Sequence, residues 1–317
     1  MAKNPPSQRP KSSGPSRTAA RPGTKPPTGR PAGLFTWVAI GLVVVVVAAL
    51  VIIKVTTTSN GATSNAFQPT SATVAQEVTS VPASVFNAVG VTSTAVPVSP
   101  PIPLSKQPAL VDSATGKPEL FYLGAEYCPF CAAERWPLIL ALSRFGTFKN
   151  LGDMESSTKT GEVYPGTPTF TFVKSTYTSP YLSFKSIEQF TNVWDNATNY
   201  YTPLQTPSKP EEAVFQKYDT SKYIPGITSA QDGSIPFITI GNQYLVAGAS
   251  YTPQLLAGIS RETIAGGLSN ATNPVTVAIV ATANYLTASI CSITKDHPGS
   301  VCSSKGVAAA KKVLGIK

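Results

Sequence analysis

Histidine is almost missing from this chain of 317 residues, which has a single one, His297. One imidazole removes nearly every histidine-based catalytic or metal-binding constellation by counting alone. Charge is also scarce: Asp, Glu, Lys and Arg make up 13 % of the residues, about half of the usual quarter. Residues 1–33 lack acids altogether, yet hold seven basic residues: Lys3, Arg9, Lys11, Arg17, Arg21, Lys25 and Arg30. Leaving those seven out of the 25 basic residues leaves 18 against 16 acidic ones. The net charge of +9 therefore sits in a tail. No basic face remains to track a phosphate backbone, so nucleic acid is not an expected partner. The same tail has eight prolines and no large apolar residue. It cannot form a core and reads as a disordered basic segment on the cytoplasmic side. No internal repeat is visible.

What is there begins with a long apolar run. Leu34 to Ile53 (LFTWVAIGLVVVVVAALVII) carries no charge over twenty residues. At about 1.5 Å per residue this is roughly 30 Å, the thickness of a hydrocarbon core. A cleaved signal has a shorter apolar run with a small-residue site close behind, whereas here Lys54-Val-Thr-Thr-Thr follows. The run is read as one uncleaved transmembrane helix. The basic excess before it keeps the N-terminus in the cytoplasm, so everything after Lys54 is expected outside, with the lipid bilayer as a partner. Residues 54–73 read as a flexible stalk, and 74–317 as one extracytoplasmic domain. A lead-in helix is expected around Val74 to Val89.

Within that domain Glu119 to Leu123 suits a buried strand, and Trp136, Ile139, Leu140, Leu142 and Phe145 repeat with a helical period. Pro137 interrupts that helix. Thr169 to Val173 is a second strand. Residues 174–233 are mixed and read as a large insertion with one helix near Glu211 to Tyr218. Phe237 to Ile240 and Tyr244 to Val246 form a hairpin about Gly241-Asn242. Thr252 to Leu268 reads as one helix, and Asn273-Pro274 opens another that runs to about Ile293. Val275 to Ile293 is also uncharged, but Asn284, Tyr285 and several Thr and Ser favour a buried domain helix over a second span.

The chemistry rests on four cysteines: Cys128, Cys131, Cys291 and Cys302. Cys128-Pro129-Phe130-Cys131 lies where a buried strand meets a helix. A thiol at a helix N-terminus meets unpaired N–H groups and the positive end of the dipole, which favour the thiolate. The thiolate is the attacking species in disulfide exchange. Cys128 is then the nucleophile, expected with an at least partly exposed sulfur, and Cys131 the more buried resolving thiol. No cofactor is needed, because the sulfurs carry the electrons. A metal site is not expected, since Cys291, His297 and Cys302 are irregularly placed for zinc. Outside the cytoplasm Cys291 and Cys302 should form a structural disulfide.

The string LFYLGAEYCPFC resembles the active-site strand and turn of thioredoxin-fold proteins. Ala125-Glu126-Tyr127-Cys128 is similar to the thioredoxin entry to its dithiol, and Pro129-Phe130 to the dipeptide of glutaredoxins. Gly233-Ser234-Ile235-Pro236-Phe237-Ile238, with Gly241-Asn242-Gln243-Tyr244 after it, resembles the cis-proline strand and hairpin of DsbA-like members. From about Val74 the chain resembles an uncharacterised family, a domain of unknown function, of membrane-anchored thioredoxin-like proteins. The resemblance implies an α/β thioredoxin-like domain with an insertion and an extra C-terminal helix. It implies a cis-proline at Pro236 beside the dithiol, with Thr167-Pro168 as a rival, and substrate contacts at Pro129, Phe130 and the Ile235 backbone. Tyr122 stands where thioredoxins carry a buried acid; Glu126 and Glu134 are nearby candidates for its role, or simply solvated. Arg135 either lowers the Cys128 pKa or points to solvent, and Trp136 reads as core.

The function expected is exchange of disulfides with extracytoplasmic protein thiols, with a membrane redox partner as a second candidate. The alternative is a non-catalytic binding or scaffold module in which the C-x-x-C is a structural disulfide.

Overall fold

The computed structural model describes residues 67–91 and 96–317. The basic tail, the apolar run Leu34–Ile53 and most of the stalk lie outside the described residues.

In chain order the elements are β1 (Gln68–Pro69), α1 (Ala72–Thr79), α2 (Ala83–Val89), β2 (Ile102–Pro103), β3 (Glu119–Gly124), α3 (Pro129–Ser143), β4 (Thr147–Lys149), β5 (Gly152–Glu155) and β6 (Pro168–Thr171). There follow β7 (Thr176–Thr178), β8 (Ser183–Glu188), β9 (Phe190–Asp195), β10 (Tyr200–Pro203), α4 (Lys209–Tyr218), β11 (Phe237–Ile240) and β12 (Tyr244–Ala247). The chain closes with α5 (Arg261–Gly267), α6 (Pro274–Ile293), α7 (Gly299–Cys302) and α8 (Lys305–Leu314). The protein is a mixed α/β structure.

The main sheet has the order β2-β12-β11-β3-β8. β8 runs parallel to β3, with Glu188 opposite Gly124, and β11 runs antiparallel to β3 on its other side. The expected insertion, residues 174–233, thus supplies the edge strand β8 of this sheet. Side chains on a strand alternate between faces. Leu120 and Tyr122 of β3 join the larger core cluster, with Trp136, Leu140, Ile279 and Leu286. Phe121 and Leu123 join the smaller one, with Phe215, Tyr218 and Phe237. Helices α3 and α6 therefore cover one face and α4 the other. Smaller sheets, β1-β5-β6, β4-β7 and β9-β10, surround this core.

Local chemistry explains the hairpin and its neighbours. Gly241 (φ 62°) and Asn242 (φ 55°) both adopt the left-handed conformation, as a type I′ hairpin turn requires. The expected single helix Thr252–Leu268 is two pieces: a 3₁₀ turn at Pro253–Leu256 and α5 from Arg261. Gly258 (φ 75°) breaks the first piece, and the Ser260 side chain caps the second by accepting from the Thr263 N–H.

Asn273 caps α6, its side chain accepting from the Val275 and Thr276 N–H groups. This helix is long and apolar enough to cross a membrane by length and composition, yet 83 % of its apolar window is buried inside the protein. Its polar residues are satisfied within the domain: Asn284 donates to the Phe86 and Gly90 carbonyls, each at 2.9 Å. Cys291, near its end, is disulfide-bonded to Cys302 of α7, with Cα atoms 5.6 Å apart.

Candidate functional site

The site begins with how α3 starts. Cys128 is its N-cap: the backbone is extended there, Pro129 takes the first helical position, and the Cys131 N–H donates to the Cys128 sulfur at 3.3 Å. A proline at that position loses no helical hydrogen bond. Both cysteines are free thiols. The residue 107 positions away closes the other side: the Cys128 sulfur lies 3.9 Å from the Ile235 carbonyl oxygen. The Ile235–Pro236 peptide is cis. The Thr167–Pro168 bond is not among the cis bonds of the described residues; the Pro168 carbonyl instead accepts the Trp136 indole N–H at 2.9 Å.

Cys128 is less accessible than expected, at 5 % exposure, and Cys131 is at 0 %. Helix α3 is packed from every side, so even its N-terminus is half enclosed by the Ile235 loop. Phe130, by contrast, is 40 % exposed. Its ring meets Tyr164 edge-on at 6.1 Å. Tyr127 stacks on Tyr201 at 4.0 Å and touches Tyr200 and Phe190 at their edges. The β9–β10 hairpin thus places an aromatic shelf beside the dithiol, with Tyr200 45 % exposed. The tyrosine-rich composition of residues 174–233 was its only trace in sequence.

Burial acts against a thiolate at Cys128. The hydrogen bonds from the Cys131 thiol and N–H, with the Arg135 charge, outweigh it and hold the thiol below its ordinary pKa. Cys131 goes the other way: burial, the bond to Cys128 and the neighbouring charge push it well up. The pair is split into one thiol ready to ionise and one held protonated.

Beneath the sulfurs lies a buried ion pair. Arg135 Nε and Nη2 donate to the two Glu188 carboxylate oxygens at 2.8 and 2.6 Å, and Nη2 also donates to the Ala125 carbonyl. Both side chains are fully buried. Arg135 thus faces the protein and not solvent. Glu126 and Glu134 are buried too, rather than solvated. Glu126 accepts from the Thr171 hydroxyl at 2.6 Å and is pushed up by burial to about 7. Glu134 accepts from the Ser250 N–H and hydroxyl and is pushed up to about 8, again by burial. The hydrogen bonds of both carboxyls therefore go away from the cysteines.

Two local details hold the geometry. Pro137 has no N–H for the Ala133 carbonyl one turn back, and the Tyr251 hydroxyl takes that acceptor at 2.7 Å. Gly124 leaves room for the dithiol: a Cβ there would collide with the Tyr122 hydroxyl and stand 3.1 Å from the Cys131 sulfur.

The second pair of cysteines is elsewhere, on α6 and α7. Asp296 lies beside those sulfurs, but a disulfide offers no thiolate to a metal, and Asp296 pairs with Lys311 at 2.6 Å. His297 is an exposed turn residue before Pro298.

Residues 110–292, more than half of the chain, match the family described as Domain of unknown function (DUF929). The chain belongs to that family. The DUF929 region takes in Cys128, Cys131, Arg135, Glu188, Ile235, Pro236 and Cys291, while Cys302 lies just beyond it. No curated protein and no solved structure matches the chain.

Proposed function

We propose that this DUF929 protein is a membrane-tethered thiol–disulfide oxidoreductase, with a thioredoxin-like domain held outside the cytoplasm. The observation that carries the reading is the pairing of a low-pKa thiol at a helix N-terminus, Cys128, with a buried high-pKa thiol three residues on, under the Ile235 carbonyl. A dithiol at a strand-to-helix junction, flanked by a parallel strand and an antiparallel hairpin, supports the thioredoxin-like reading. The apolar run Leu34–Ile53 and the basic residues before it support the tether and its orientation.

The chemistry follows from the split pair. The Cys128 thiolate attacks one sulfur of a substrate disulfide, forming a mixed disulfide and releasing the other sulfur as a thiolate. Cys131 then loses its proton and attacks the Cys128 sulfur. The new Cys128–Cys131 bond forms as the Cys128–substrate bond breaks, and the departing substrate sulfur takes up a proton. Two electrons have passed to the substrate; the reverse sequence oxidises it. The exposed Phe130 ring and the Ile235 backbone form the contact surface for the substrate polypeptide, whereas Pro129, expected to share it, is buried at the start of α3.

The test is trapping. In Cys131→Ser the mixed disulfide cannot be resolved, so partner proteins should stay attached to Cys128 and be released by reductant. Absence of such adducts in cells, while Cys128 remains alkylatable, would reject exchange. A second reading is favoured by the 5 % exposure of Cys128: a binding module whose dithiol serves structure alone. It requires the Cys128 thiol to resist alkylation at neutral pH in the reduced protein.

A further inference from the structure

The Arg135–Glu188 pair is large, charged, fully buried and unused by the exchange steps above. A buried ion pair is a weak stability device, because desolvation consumes most of the attraction. This one is also incompletely satisfied: Arg135 Nη1 is buried with no hydrogen-bond partner. Its position is what distinguishes it. Arg135 lies one helical turn after Cys131 on α3, and residues four apart share a helix face. Glu188 ends β8 directly opposite Gly124, the glycine that abuts the Cys131 sulfur and Tyr122. The Glu188 backbone is pinned on both sides by Gln205, whose side-chain oxygen accepts its N–H at 2.8 Å and whose N–H donates to its carbonyl at 3.0 Å.

We propose that Arg135 and Glu188 are positioning residues that form a balanced charge pair under the dithiol. Arg135 favours the sulfur anions that form during exchange, and Glu188 aims the guanidinium and limits how strongly those anions are held. The inference rests on the exchange reading for its purpose, though not for its electrostatics. In the resolving step negative charge appears on Cys131. The Nη1 group, unpaired until then, is the donor left for it. Once the Cys128–Cys131 bond has formed, the negative charge has left on the substrate sulfur and the pair is again balanced. The other ionisable groups around the thiols and the ion pair are Tyr122 of β3 and, in the loop before α3, Tyr127 and Glu126, the last interacting with Arg135 and Glu188. Burial keeps the two tyrosines neutral across the working range and raises Glu126 to about 7, so its titration falls within the pH series and is shared by wild type and every variant. On the side towards β11 the Cys128 sulfur meets the uncharged Ile235 carbonyl.

The experiment measures alkylation of Cys128 by iodoacetamide in the reduced full-length protein, from pH 4 to 10, reading the Cys128 peptide by mass spectrometry. Glu188→Gln should speed alkylation below the wild-type midpoint, because an unbalanced cation remains. Arg135→Met should slow alkylation at pH 7 severalfold, because the cation that favours the Cys128 thiolate is gone. Opposite directions are the signature, since general loosening of the fold moves both variants the same way. Either single variant leaves a buried charge alone and is at risk of not folding. The double variant R135M/E188M replaces the pair with apolar side chains, a change that buried ion pairs commonly tolerate. It should alkylate at least threefold more slowly than wild type at pH 7. A folded double variant that reacts at the wild-type rate overturns the proposal, as do single variants that shift together. Trapping with Cys131→Ser reports separately on the exchange reading: shifted midpoints without trapped partners would leave the charge pair standing and remove the enzyme.

Discussion

Glu134 makes the stability of this protein depend on pH in an unusual sense. Its carboxyl is buried within α3, accepts from the Ser250 N–H at 2.8 Å and faces the Ser250 hydroxyl at 3.1 Å. Burial pushes its pKa from 4.5 to about 8. Between those two values the folded protein holds a proton that the unfolded chain releases. The folded state therefore binds more protons, and stability must fall as pH rises through this window. The contribution is fully present below about pH 4.5 and lost by about pH 8. The shift corresponds to roughly 5 kcal/mol, a large share of the 5–15 kcal/mol typical of a domain. Glu126 and Asp219, both raised by burial to about 7, act in the same direction. The perturbation is Glu134→Gln, which keeps the shape and removes the titration. The assay is urea unfolding at pH 5, 6, 7 and 8, followed by the fluorescence of Trp136, which is buried edge-on to Phe170 at 4.7 Å. Wild type should lose stability steadily across the series. The variant should lose less, most clearly between pH 7 and 8, where Glu126 and Asp219 have already titrated and Glu134 alone remains, and should match or exceed wild type at pH 8. An unchanged pH slope in Glu134→Gln would show that this carboxyl is ionised in the folded state and refute the reasoning.

Gly124→Ala should cost about 1–3 kcal/mol, the usual range for overpacking, and should slow closure of the Cys128–Cys131 disulfide by displacing the Cys131 sulfur; denaturation and thiol counting after a pulse of oxidant check both. Replacing Cys291 and Cys302 together by Ala should lower stability by about 3 kcal/mol on the chain-entropy account for a closed loop of this length. The double alanine variant should leave Cys128 alkylation unchanged, since the two pairs lie on different elements. For the proposed topology, protease added to intact cells should remove the domain and spare residues 1–33; protection of residues beyond 100 would reverse the orientation.

Local signals carried much of the site. Cys128 could be placed at a helix start because Pro129 suits the first helical position and the apolar run before it suits a buried strand. The hairpin was legible in Gly241-Asn242, whose left-handed backbone few other residue pairs accept. Asn273-Pro274 marked the start of α6, and its Asn, Thr and Ser content marked it as a helix that finds polar partners inside a domain. Other features had no local signal. Apolar residues of α3 fall on more than one face, as the unbroken run Trp136 to Leu142 shows, so its period could not say whether Glu134 and Arg135 meet solvent or protein, and both turned out to be buried. Gly258 split an expected helix because a single left-handed residue outweighs a weak pattern. Strand β8 lies in a stretch of mixed composition, and nothing in Ser183–Glu188 announces that Glu188 will face Arg135, 53 residues earlier. That pairing exists because β8 adds in parallel to β3 with Glu188 beside Gly124. Likewise the Ile235 carbonyl reaches Cys128 across 107 residues because β11 pairs with β3. Neighbours in sequence settle which backbone conformations are cheap, but which buried charge meets which sulfur depends on strand register, and register is a property of the assembled sheet.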